Sequence, residues 1–119
     1  GRVFSAQEAL EGRLVSRVVA AEDLLPTARA IAAEIVDNTS AVSVCLSRHL
    51  LWKMLTADHP MEAHKLDSKA LRSLGRLPDA YEGVSSFLEK RQPSFTMSAA
   101  TDLPEFFPWW EERRFSDDG

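Results

Sequence analysis

The stretch Asp79-Ala80-Tyr81-Glu82-Gly83-Val84-Ser85-Ser86-Phe87-Leu88-Glu89-Lys90-Arg91-Gln92-Pro93-Ser94-Phe95 decides the fold class. It has the signs of a helix. Asp79 is placed to accept a hydrogen bond from the Glu82 backbone N–H, and the Glu82 carboxylate to accept one from the Asp79 N–H, a capping box. Val84, Phe87 and Leu88 then share one face. Lys90 and Arg91 fall at the end where the helix dipole favours cations, and Pro93 stops the helix.

Upstream, the same punctuation recurs. Ser5-Ala6-Gln7-Glu8 is a second capping box, which predicts a short helix from Ala6 to Glu11, with Gly12 ending it in a left-handed conformation. Leu14 to Val19 is rich in Val and Leu and reads as a short strand. Asp23 is a cap for the next helix, with Pro26 tolerated in its first turn. That helix carries a stripe of Leu24, Leu25, Ala28, Ile31, Ala32, Ile35 and Val36, broken at Asp37-Asn38-Thr39-Ser40. Ser40 caps a third helix that buries Val42, Cys45, Leu46, His49, Leu50 and Met54. Pro60 opens a fourth at its first position, running to about Leu74, with Gly75 beyond it. A lone strand cannot satisfy its own N–H and C=O groups, so Leu14–Val19 calls for a partner outside this chain, a refolded form or solvent.

Composition sets outer limits. The chain has 119 residues, 45% hydrophobic and 27% charged, enough for one small domain. No apolar run reaches the roughly 20 residues of a membrane span, and no secretory signal is visible. A net charge of −4 argues against nucleic-acid binding as the main activity. Cys45 is the only cysteine, so no intrachain disulfide forms and a cytoplasmic location is the simplest expectation.

The Asp79–Phe95 stretch resembles the C-terminal signature D-x-x-E-G-x-x-x-F-x-E-K-R-x-P-x-F of the crotonase (enoyl-CoA hydratase/isomerase) superfamily. Gly1-Arg2-Val3-Phe4-Ser5-Ala6-Gln7-Glu8-Ala9-Leu10, with Leu14-Val15-Ser16-Arg17-Val18-Val19, resembles a second segment of that family, which follows its catalytic region. The two occur in family order and cover about residues 1–95. The resemblance implies a mainly α chain. It would be the C-terminal helical, oligomer-forming part of a crotonase-like α/β spiral fold, with one strand near residues 14–19. It also implies a fragment in three parts: residues 1–20 as the end of the spiral core, 21–95 as a helical association domain and 96–119 as an extended tail. Family members usually have Gly directly before the Leu-Val pair. Arg13 stands there, a poor choice if the position needs positive φ.

By the same resemblance, the parent enzyme acts on acyl-CoA thioesters, most simply by hydrating 2,3-enoyl-CoA, with no cofactor beyond that substrate. The oxyanion-hole N–H groups and catalytic Glu residues of the family map before Gly1, so no catalytic residue is expected here and the fragment should be inert. Phe87 and Lys90 match family positions that help bind the CoA adenine and phosphate of a neighbouring subunit, an aromatic face for the base and an ammonium for the phosphate. The alternative is that Phe87 is core and Lys90 only complements the helix dipole. A homo-oligomer is implied: a trimer or hexamer for the parent, a rearranged dimer or trimer for the fragment. The competing reading from another class is a stand-alone helical association module with no acyl-CoA role.

The remaining reactive residues read as structural. His49, His59 and His64 lack a completing set of ligands for a metal, and Cys45 has no activating cation beside it in sequence. Phe106-Phe107-Pro108-Trp109-Trp110 is too aromatic for a disordered tail. Docking on another subunit fits it better than a membrane surface, given the acidic Glu105, Glu111 and Glu112 around it. The closing Ser116-Asp117-Asp118-Gly119 reads as mobile.

Overall fold

The structure, a computed structural model, describes residues 1–112; the expected mobile end at 116–119 lies outside the described residues. Five α-helices follow one another: α1 (Ala6–Glu11), α2 (Leu24–Asn38), α3 (Ala41–Lys53), α4 (Pro60–Leu74) and α5 (Pro78–Glu89). Short 3-10 turns at Ala21–Asp23 and Met54–Thr56 lead into α2 and out of α3. The chain divides into two compact units, Gly1–Ile35 and the remainder from Val36.

In the first unit, Ser5 Oγ accepts from the Glu8 N–H at 3.1 Å, the expected cap of α1. The reciprocal half of that box is replaced. The Glu8 carboxylate takes both terminal nitrogens of Arg2, which lowers the pKa of Glu8 and raises that of Arg2. Gly12 is not left-handed, at φ −75°; Arg13 takes that conformation instead, at φ 58°. The Arg13 N–H donates to Leu10 O and the Leu14 N–H to Ala9 O, at 3.0 and 2.8 Å. This is a Schellman ending with a cation where glycine is usual. The positive φ expected at that position is therefore kept, with Arg bearing it.

The expected strand at Leu14–Val19 does not form. Residues 12–16 are turn and bend, 17–20 have no regular structure, and no strand occurs among the described residues. With no second strand among the described residues to pair with, the segment makes no ladder; the Leu14 and Val15 N–H groups turn back to Ala9 O, at 2.8 and 3.4 Å. Its side chains follow: Leu14 and Val18 are exposed, and α2 carries no buried residue despite its apolar stripe.

The second unit holds the core. Val42 and Leu46 of α3 are 0% and 2% exposed and meet Ala70 of α4, with Leu74, Met97, Leu103 and the rings of Phe106, Phe107 and Trp109 packed against them. Pro60 starts α4 as expected, and His59 supplies its cap, Nδ1 accepting from the Met61 N–H at 3.0 Å. The tail expected to dock on another subunit packs on its own α3 instead. Trp110 stacks on His49 at 5.0 Å between centroids, Phe107 meets His49 edge-on at 5.1 Å, and Lys53 Nζ lies 4.3 Å over the Trp110 ring. Glu112 accepts from Trp110 Nε1 and, at 3.2 Å, from Lys53, and both contacts lower its pKa.

Candidate site at the end of helix α5

Helix α5 begins two residues earlier than the sequence suggests. Pro78 is inside its first turn and Leu77 is the capping position, with no side-chain cap. The capping box expected from Asp79 and Glu82 is absent, because both carboxylates are drawn to the chain that returns after the helix. Asp79, 5% exposed, accepts from the N–H groups of Thr96 at 2.9 Å and Met97 at 3.3 Å through Oδ1; its Oδ2 is buried without a partner. Glu82 accepts from Arg91 Nη1 and Nη2 at 2.6 and 2.9 Å, and from the Ser94 N–H at 2.7 Å. That fork is the strong, planar kind of ion pair. Arg91 and then Ser94 hold the Glu82 carboxyl down from 4.5 to about 2, and the same contact raises Arg91.

Arg91 also holds Glu89, Nε to Oε2 at 2.6 Å. Between the two lies Lys90, left-handed at φ 55°, ψ 40°. Its N–H donates to Phe87 O and the Arg91 N–H to Ser86 O, at 3.3 and 3.0 Å, a second Schellman ending with a cation in the glycine position. Phe87, one of the two residues singled out from the sequence, is not core: it is 81% exposed. Lys90 is exposed as well. Phe87 borders an open cleft of about 580 Å³, lined also by Leu74, Asp79, Val84, Leu88 and Phe95.

Glu11 and His49, also read from the sequence, have structural partners. Gln7 donates to Glu11 at 3.3 Å, and His49 Nδ1 donates to Cys45 O at 2.8 Å. No group of three or more His, Cys, Asp or Glu that could hold a metal occurs among the described residues, and no helix among them is long and apolar enough to cross a membrane. Sequence reasoning singled out Phe87 and Lys90 and missed the Glu82–Arg91–Glu89 clamp beside them. The signal was present in the spacing of Glu82 and Arg91, but a turn after α5 had to be assumed before they could meet.

This helical arrangement matches the C-terminal helical region of crotonase-fold enzymes. The profile of the enoyl-CoA hydratase/isomerase family matches residues 1–98, and the chain belongs to that family. It is 41% identical over 96 residues to the enoyl-CoA hydratase AKT3-2 of Alternaria alternata, covering 80% of this chain and 32% of that protein. With the rat mitochondrial enoyl-CoA hydratase domain-containing protein 3 it shares 38% over 93 residues, covering 78% and 30%. Among solved structures, a probable enoyl-CoA hydratase/isomerase from Mycobacterium abscessus superposes with a TM-score of 0.71 at 30% identity, covering 80% of this chain and 37% of that one. The chain thus spans about a third of the length of the relatives it matches.

Proposed function

We propose that this chain is the helical, subunit-associating part of an enzyme that acts on acyl-CoA thioesters, hydration of a 2,3-enoyl-CoA being its reaction, and that by itself it is inert. One observation supports this most: the family match runs through both segments of the chain while covering only about a third of its relatives. The carboxylates here are also ill suited to proton transfer. Glu82, held near 2, is a base too weak and an acid too dissociated for neutral pH, and Glu8 is tied to Arg2. In the assembled enzyme Lys90 meets a phosphate of CoA and Phe87 offers its exposed ring to the adenine. A cytoplasmic, homo-oligomeric enzyme with no cofactor beyond its substrate is part of the same reading.

Two proteins test it: this chain and a family-length enzyme carrying it, each offered crotonyl-CoA. The longer protein hydrates it, and the chain stays at buffer background. Turnover that tracks the purified chain overturns the inert assignment. A family-length protein with no acyl-CoA turnover and an unchanged assembly favours a purely associative module.

A further inference from the structure

Lys90 is one of four lysines, and the other three have work within the chain. Lys53 pairs with Glu112 and lies over Trp110, Lys65 pairs with Glu62, and Lys69 Nζ lies 4.7 Å over Phe106. The Lys90 ammonium has no hydrogen bond or ion pair among the described residues. That freedom is unexpected from its neighbours. Glu89 precedes it directly.

Arg91 explains it. Its fork occupies both oxygens of Glu82 and its Nε takes Glu89, so each of these two carboxylates already has a cationic partner. The backbone N–H of residue 91, which any residue but proline would supply, closes the Schellman turn on Ser86 O around the left-handed Lys90. A side chain with a Cβ pays strain in that conformation, and glycine would not. Strain of this kind persists where the surroundings over-determine it and function retains it.

We infer that Arg91 is a positioning residue: beside the strained left-handed turn its side chain engages Glu89 and Glu82, and so keeps the Lys90 ammonium unpaired for an anionic group of the substrate. The inference rests on the acyl-CoA reading above and adds to it the residue on which Lys90 depends. If the turn served stability alone, glycine at 90 would serve better. If the charge served only the helix dipole, Arg91 would have no reason to draw Glu89 away.

The test uses the family-length enzyme, with melting temperature, kcat and KM for an enoyl-CoA measured for each variant. Lys90→Gly is expected to melt higher than wild type and to raise KM about fivefold at constant kcat, the loss of one exposed phosphate contact. Arg91→Lys cannot fork and releases Glu89; it should raise KM at constant kcat, and adding Glu89→Gln should restore KM in part. Arg91→Lys should add nothing to Lys90→Gly. Should Arg91→Lys reduce the folded fraction, Glu82→Gln, which keeps the side chain's shape, takes its place with the same expected rise in KM. A KM unmoved by Lys90→Gly overturns the reading of Lys90 as a phosphate contact. A KM moved by Lys90→Gly but not by the clamp variants, effects that multiply, or no rescue by Glu89→Gln overturns the positioning role alone. A lower melting temperature for Lys90→Gly overturns the strain.

Discussion

Among the described residues, two carry positive φ without being glycine, and both are cations just past a helix end, Arg13 and Lys90. Each closes its helix with the same pair of backbone hydrogen bonds. For Arg13 no side-chain hydrogen bond or ion pair among the described residues offsets the strain, so Arg13→Gly should stabilise this chain by about 1 kcal/mol, read as a higher melting temperature. An unchanged or lower one would mean that the Arg side chain contributes there. Glu82 sets the acid response. Its carboxyl is held near 2 when folded against 4.5 otherwise, so its stabilising contribution is complete above about pH 5 and is lost as pH falls toward 2. Stability of the wild type should therefore decline over that window more steeply than that of Glu82→Gln. Parallel declines would show that the carboxylate contributes nothing. Asp79 illustrates what sequence could not give: a local cap was the nearest use for it, but its acceptor atom is taken by N–H groups 17 and 18 residues later.

At the scale of elements, helices were legible because their signals are local. Ser5 caps α1, Pro60 opens α4, and Val42 and Leu46 face the core at helical spacing. The Leu14–Val19 segment was not, because β propensity describes a fit to neighbouring strands, and here there are none. The aromatic tail was half legible. Its density in Trp and Phe marked a docking element, but the receiving surface is α3 of the same chain, with His49 and Phe107 far apart in sequence. Two truncations separate the layers of that contact. Trp109 packs on the core and Trp110 on His49 and Lys53. Trp109→Ala should cost about 2 kcal/mol in denaturant unfolding and Trp110→Ala about half that, since Trp109 meets the core and Trp110 only the α3 surface. Equal losses would mean that the two rings contribute alike, and no loss from either would mean that the tail does not support the helices beneath it.

For the molecule as a whole, the amount of apolar surface left in water outweighs the small core. In the unit from Val36, Leu51, Leu55, Leu71, Phe87 and Leu88 are largely exposed; in Gly1–Ile35, Val3, Leu14, Leu24 and Leu25 are. Patches of this kind mark surfaces meant for other protein, and left open they drive association. That the chain belongs to a family of enzymes about three times its length accords with such a surface, and the central claim is that these helices are made to be covered. Sedimentation velocity on the purified chain at tens of micromolar, about the range where moderate association shows, tests it most directly. The expected result is a dimer or trimer that dissociates on dilution; a stable monomer across the whole range would contradict the claim.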